Sequence, residues 1–256
     1  MDKPIAVGAT AEIYAWENGQ ILKLFRPRFS AQTVEREARI ARLIHGSGAP
    51  VPAVGEVVEI DGRVGLLYER IAGVSMLAAL AAQPWRLASF ARQLAELQAG
   101  LHANAAPDGL PIQRERMGDK IRGAQVAPVE LRQRALALLD NLPAGRQLCH
   151  GDFHPDNVLL TERGPVIIDW IDATAGYPLA DVARSSVLIY FSQPAEGVEF
   201  DWKVRLLRYW FHKIYLAHYR RLHPFAEDEF ARWRLVNAAA RLSENVPEEE
   251  SLLALL

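Results

Sequence analysis

Cys149-His150-Gly151-Asp152-Phe153-His154-Pro155-Asp156-Asn157, followed by Val166-Ile167-Ile168-Asp169-Trp170, is the stretch of this 256-residue chain on which its fold and chemistry turn. An Asp and an Asn stand five residues apart in one loop, and a second Asp closes an apolar run. Val158-Leu159-Leu160 and Val166-Ile167-Ile168 read as a small β-ribbon turned by Glu162-Arg163-Gly164. Phosphoryl transfer from ATP asks few things of a protein. A carboxylate must orient or deprotonate the attacking hydroxyl, oxygen ligands must hold Mg²⁺, and a cation must pin the phosphates. A single loop can present Asp152 to a hydroxyl and Asn157 to a metal, with Asp169 reaching that metal from the neighbouring strand end. Hard oxygen donors without a thiolate suit Mg²⁺.

On the N-terminal side of this stretch, the first 70 residues read as strands with one helix. Glu12 to Trp16 and Ile21 to Phe25 flank Asn18-Gly19, and Val54 to Ile60 and Val64 to Glu69 flank Asp61-Gly62. Both dipeptides are hairpin signals, because their positions need positive φ. Between the hairpins Val34, Glu37, Ala41 and Ile44 recur at helical spacing, with Ser30 placed to cap the start and Gly46 the end. From Ser75 onward the pattern turns helical. Leu87, Phe90, Leu94, Leu97 and Leu101 form one stripe, and further helices are expected over 128–139, 179–191, 202–222 and 225–242. Pro247 followed by Glu248, Glu249 and Glu250 reads as the first turn of a last short helix.

The His150–Asn157 loop and the Ile167-Ile168-Asp169-Trp170 run resemble the aminoglycoside phosphotransferase and choline kinase superfamily, whose pattern is H-G-D-x-x-x-x-N and then a metal-binding Asp at a strand end. The resemblance implies an α+β, protein-kinase-like, two-lobed fold with a β-rich N-lobe carrying one helix and a mainly helical C-lobe. It implies residues 1–72 as a nucleotide-binding lobe and 73–256 as the catalytic and substrate-binding lobe. Asp152 matches the catalytic base, and Asn157 and Asp169 match the magnesium ligands. Gly176-Tyr177-Pro178-Leu179-Ala180-Asp181 is similar to a G-x-P-x-x-D segment whose Asp braces the catalytic loop. Val7-Gly8-Ala9-Thr10-Ala11-Glu12 resembles a degenerate nucleotide loop, with backbone N–H groups at Gly8 and the Thr10 hydroxyl over the phosphates. Leu66 to Gly73 is similar to a hinge, where backbone groups of Glu69 and Ile71 would meet the adenine edge. ATP and Mg²⁺ are the implied cofactors, with GTP as the alternative donor.

A kinase of this kind needs a Lys on an interior strand paired with a Glu on the following helix. Lys23 is the lone charge in Ile21-Leu22-Lys23-Leu24-Phe25 and shares a strand face with Ile21 and Phe25. Glu35 and Glu37 compete as its partner. Glu37 lies on the apolar helix face, three after Val34 and four before Ala41, whereas Glu35 is turned away.

Composition narrows the classes. Lys plus Arg number 29 against 31 Asp plus Glu, which excludes the basic footprint of a nucleic-acid binder. The single cysteine, Cys149, excludes an internal disulfide framework, and no apolar run approaches the roughly 18 residues of a membrane span. A cytoplasmic protein is expected, with no membrane and no obligatory protein partner. Two rivals differ in class: a catalytically silent nucleotide-binding module, and a metallohydrolase built on the alternating His150, Asp152, His154 and Asp156. His150 is expected to hold the loop, Asp156 to cap it, and His102 to lie at a helix edge without a role. Asp172 and Glu244 are expected near the acceptor cleft, and Arg184 is expected to pair with Asp181. Few cations stand near the motifs in sequence, so a neutral or cationic hydroxyl-bearing small molecule is the expected acceptor.

Overall fold

The computed structural model describes residues 3–8, 10–192 and 201–256. It is a mixed α+β chain with its sheet in the N-terminal region and its helices in the C-terminal part, and it divides into two compact units. The first comprises residues up to Met76, Pro107–Gly109 and Asp156–Ile171; the second comprises Leu77–Ala106, Leu110–Pro155 and Asp172 onward.

In the first unit, β1 (Ala6–Val7), β2 (Ala11–Trp16), β3 (Gln20–Phe25), β4 (Val54–Ile60) and β5 (Arg63–Glu69) make an antiparallel sheet in the order β1-β2-β3-β5-β4. The Asp61-Gly62 turn has the expected two residues, with φ of 51° and 73°. The first hairpin turns on three residues rather than two, because Trp16 pairs with Gln20; Asn18 and Gly19 still take the positive φ. Helix α1 (Ala31–Gly46) starts where Ser30 Oγ accepts from the Thr33 N–H at 3.3 Å. Gly48 with φ 81°, not Gly46, carries the left-handed residue after it. Strand alternation sends Phe25 and Leu66 to a core with Val34 and Ala38 of α1, and Leu22, Leu24 and Leu67 to a separate cluster. Fully burying each large apolar side chain contributes about 1.5–3 kcal/mol.

A second sheet in this unit joins distant segments. Here β6 (Val74–Ser75) pairs with β8 (Val158–Thr161), which pairs with β9 (Gly164–Ile167). The ribbon turns on Glu162 and Arg163, one residue fewer than the sequence pattern predicts, because Gly164 already pairs with Thr161.

The second unit holds α2 (Met76–Ala82), α3 (Leu87–His102), α4 (Gln113–Gly123), α5 (Val129–Asp140), α6 (Pro178–Phe191), α7 (Trp202–Leu222), α8 (Glu227–Arg241) and α9 (Glu249–Leu253), and a short antiparallel pair, β7 (Gln147–Cys149) with β10 (Thr174–Gly176). On α3 the stripe is buried at Leu87, Phe90, Leu94 and Leu101, and the helix packs against α7, whose Tyr215 hydroxyl donates to Gln98 and whose Tyr219 hydroxyl meets His102. Helix α6 packs on α8, which also receives α4 and α5. Helix α4 is not anticipated from the sequence. Its residues, Gln113-Arg114-Glu115-Arg116-Met117-Gly118-Asp119-Lys120, are almost wholly polar, and it buries only Gln113, Met117, Gly118 and Ile121. Among the described residues, no helix is long and apolar enough to cross a membrane.

Candidate active site

Two clusters carry the sequence-derived residues, one in each unit. In the first unit Lys23 Nζ donates to Glu37 Oε1 at 2.8 Å and to Asp169 Oδ1 at 2.9 Å. Lys23 and Glu37 are buried, and the Asp169 side chain is 37 % exposed. Burial alone would lower the ammonium pKa. The carboxylates of Asp169 and Glu37 more than offset that and hold it above the ordinary lysine value, so Lys23 is cationic. Glu35 is exposed and Glu37 faces the sheet, as helical periodicity requires.

Asp169 follows β9 with φ 62°, a left-handed conformation rarely taken by a residue with a side chain. The turn is fixed next door, where the indole N–H of buried Trp170 donates to the Ile167 carbonyl at 3.0 Å. The Ile168 N–H donates to the Asn157 carbonyl at 3.0 Å, so the backbone brings Asn157 and Asp169 to one end of the ribbon. The donor chemistry there fits a hard divalent cation: an amide oxygen and a partly exposed carboxylate, without a thiolate.

Around this cluster the expected nucleotide-loop residues lie exposed. Gly8 donates its N–H to the Ala11 carbonyl and accepts from Arg26 Nη2. The Thr10 carbonyl accepts from the Arg26 N–H. Ala9, the middle of the loop, lies outside the described residues. In the segment expected to be a hinge the Glu69 N–H donates to the Ala53 carbonyl, and the Glu69 carboxylate accepts from the Ala53 N–H. Ile71 is half-buried just beyond. Sequence reasoning misses Tyr68, whose hydroxyl donates to Glu37 Oε1 at 2.9 Å. The register of β5 against β3 carries the signal, because Tyr68 sits opposite Ile21, on the face that Lys23 uses.

In the second unit Asp152 leads the loop after β7. Its backbone N–H donates to His150 Nδ1 at 3.2 Å, so fully buried His150 holds the loop. His154 Nε2 lies 3.5 Å and Arg184 Nη2 3.8 Å from the Asp152 carboxylate. Burial would raise the Asp152 pKa, but the hydrogen bond and charge of His154, with Arg184 and His150 behind them, hold it well below the usual carboxylate range. Asp181, also buried, braces the loop from α6: it accepts from the Gly151 N–H at 2.7 Å and the His150 N–H at 3.2 Å.

Two readings of single residues are corrected here. His102 is not an idle helix-edge residue: it is buried, its Nε2 lies 3.1 Å from Asp181 and its Nδ1 2.7 Å from the Tyr219 hydroxyl. Arg184 does not pair with Asp181; it donates to the Gly151 carbonyl and to Glu244. The alternation of His150, Asp152, His154 and Asp156 is not what draws ligand-type side chains tightest. Among the described residues His102, Cys149 and Asp181 form such a group, fully buried, with both His102 nitrogens and the Asp181 oxygens already bonded.

A family model, that of the phosphotransferase enzyme family (APH), matches residues 3–225. The chain belongs to this phosphotransferase family. Over 185 residues it is 28% identical to acyl-CoA dehydrogenase family member 10 of Mus musculus, a match covering 63% of the chain but only 17% of that longer protein. The fold is similar to that of a thermostable mutant of aminoglycoside phosphotransferase APH(4)-Ia in ternary complex with AMP-PNP and hygromycin B (TM-score 0.67, 17% identity, 98% of this chain and 88% of that one). It is likewise similar to choline kinase from Cryptosporidium parvum Iowa II (TM-score 0.59, 15% identity, 99% and 86%). The architecture is therefore a protein-kinase-like α+β fold similar to that of these aminoglycoside phosphotransferase and choline kinase structures.

In this phosphotransferase the carboxylates after the ribbon are not short of cations. Asp172 is paired with Arg116 and approached by Lys120 at 3.5 Å. Glu244 receives Lys120 at 2.9 Å, Arg184 at 2.8 Å and Arg241 at 2.9 Å. Glu248, expected only as a helix start, is also buried against Arg241. The scarcity of cations inferred along the sequence does not hold in space, because Arg116 and Lys120 lie on the unanticipated helix α4.

Proposed function

We propose that this phosphotransferase moves the γ-phosphoryl group of ATP, with GTP as the alternative donor, to a hydroxyl of a small molecule. The observation that carries the reading is the Lys23–Glu37–Asp169 cluster, which assembles a buried cation, its anchor and a metal-type carboxylate from three separate segments. In this reading residues 1–72 bind nucleotide and 73–256 carry catalysis and the acceptor. Lys23, oriented by Glu37, engages the phosphates, with Gly8 and Thr10 covering them and the Glu69 and Ile71 backbone meeting the base. Asn157 and Asp169 would hold Mg²⁺, which when bound neutralises charge on the phosphate oxygens. Asp152, ionised at neutral pH, orients the acceptor hydroxyl and accepts its proton.

A neutral or cationic acceptor remains our reading, on new grounds. Arg116, Lys120, Arg184 and Arg241 are already paired with Asp172, Glu244 and Glu248, so an acidic acceptor would have to break ion pairs to be bound. A cytoplasmic setting is supported by the single cysteine, Cys149, buried with its thiol pKa pushed up by burial. The test is acceptor-stimulated ADP release by purified protein, screened over amino sugars, amino alcohols and neutral sugars with ATP and Mg²⁺. Turnover that needs zinc and no nucleotide, or nucleotide binding with no transfer to any hydroxyl compound, would overturn the reading.

A further inference from the structure

The backbone of Gly151, immediately before Asp152, is held at both its N–H and its carbonyl by one face of α6. Its N–H donates to Asp181 Oδ1 at 2.7 Å, and its carbonyl accepts from Arg184 Nε at 3.1 Å. Asp181 and Arg184 are three apart in the helix, so they project side by side, one as acceptor and one as donor. Gly151 has φ 80°, and a Cβ there would lie 2.3 Å from the Asp172 carbonyl oxygen. The loop has no slack on that side, and these two hydrogen bonds join those of His150 in holding it.

Arg184 is long and rotamer-rich, so it can fix a carbonyl only if it is itself fixed. Glu244 does this. Arg184 Nη2 lies 2.8 and 3.0 Å from the two Glu244 oxygens, and the Arg184 residue is only 7 % exposed. Glu244 is held in turn by Lys120 from α4 and Arg241 from the end of α8. The same Arg184 nitrogen lies 3.8 Å from Asp152 Oδ1, in reach to contribute field as well as geometry. Glu244 stands outside the residues 3–225 that the family model matches.

We propose that Arg184, locked by Glu244, is a positioning residue for the Asp152 loop, and that the segment after residue 225 sets turnover through this pair. The inference rests on Asp152 being the group that handles the acceptor hydroxyl. It predicts a loss in the chemical step without a matching loss in nucleotide engagement, since Lys23, Glu37 and Asp169 are untouched.

The experiment measures kcat and KM for nucleotide in the full chain for Arg184→Lys, Arg184→Ala, Glu244→Gln and the Arg184→Lys/Glu244→Gln double variant, each normalised to folded protein. Arg184→Ala should lower kcat about ten- to a hundredfold, the scale of misplacing a reacting group by a fraction of an ångström to an ångström. KM for ATP should stay within about twofold, because uniform binding is unchanged. Arg184→Lys should restore part of kcat, and millimolar guanidinium should rescue Arg184→Ala. The double variant should be no worse than the poorer single one, as for two members of a single unit. Additive losses, or wild-type kcat in both Arg184→Ala and Glu244→Gln, would overturn the proposal. Asp152→Asn is run alongside: if that variant turns over normally, the reading of Asp152 fails; if it is dead while the Arg184 and Glu244 variants are wild type, only the present inference fails.

Discussion

Lys23 and Glu37 meet at 2.8 Å with both residues shut away from solvent, although they belong to a strand and a helix joined by the irregular residues 26–30. Removing Lys23 leaves the buried Glu37 carboxylate without its cation, and removing Glu37 leaves the buried ammonium with Asp169 alone. We expect Lys23→Ala and Glu37→Ala each to destabilise the fold by about 3–5 kcal/mol, the range for breaking a buried ion pair. Glu37→Gln should lose less, because the amide oxygen still accepts from Lys23 and Tyr68. Chemical denaturation provides the measurement; an unchanged midpoint in Lys23→Ala would show that the pair contributes nothing to stability.

Asp152→Asn should abolish transfer while nucleotide affinity stays within about twofold, since positioned proton transfer is worth roughly 10²–10⁴-fold and the substitution leaves the phosphate-side residues alone. Calorimetric titration with a non-hydrolysable ATP analogue, set beside the turnover assay, separates the two quantities. A parallel fall in affinity would move Asp152 to the metal.

For Asp169 backbone and side chain can be tested apart. Both Asp169→Ala and Asp169→Gly should abolish magnesium-dependent nucleotide binding, because both delete the carboxylate. At φ 62° alanine keeps the steric penalty and glycine does not, so the glycine variant should be the more stable by about 1 kcal/mol. Equal melting midpoints for the two variants would mean that the turn relaxes.

A pH effect follows from His212, buried in α7 with its Nε2 2.6 Å from Ser186 Oγ. Burial, then the nearby Lys213 and Arg234 charges, push its pKa down to about 4 from an ordinary 6.5. The unfolded chain therefore binds a proton between those values that the folded chain refuses. The resulting stability is full above about pH 6.5 and is lost as pH falls toward 4, by about 3 kcal/mol at most. His212→Gln should flatten this part of the pH–stability curve; an unchanged slope would show that other groups produce it.

Much of this was legible in the sequence because it is local. Asn18-Gly19 and Asp61-Gly62 demand positive φ, and Val34, Glu37, Ala41 and Ile44 repeat at helical spacing, so hairpins and helix declared themselves. Glu37 could be chosen over Glu35 on the same periodicity. What stayed hidden is what distance along the chain conceals. The partner of His102 is Asp181, and the partner of Arg184 is Glu244, 60 residues on. Helix α4 escaped for a different reason: it is polar on most faces and interrupted by Gly118, so no apolar stripe announces it. Arg116 and Lys120 lie on it, so the sequence alone understates the positive charge around Asp172 and Glu244.

The sheet that pairs Val74 with Leu160 bears on how a nascent chain matures. Ribosomes deliver roughly 5–20 residues per second, so β6 leaves the tunnel several seconds before its partner strand exists. Lys23 likewise emerges long before Asp169. An isolated fragment ending near Met76 would hold Lys23 and Glu37 without the third charge, and would keep β6 as an open strand edge through the wait. The N-terminal unit is the first to be started, yet it cannot be completed until Ile171 is made, after more than 70 residues of the second unit have already been synthesised.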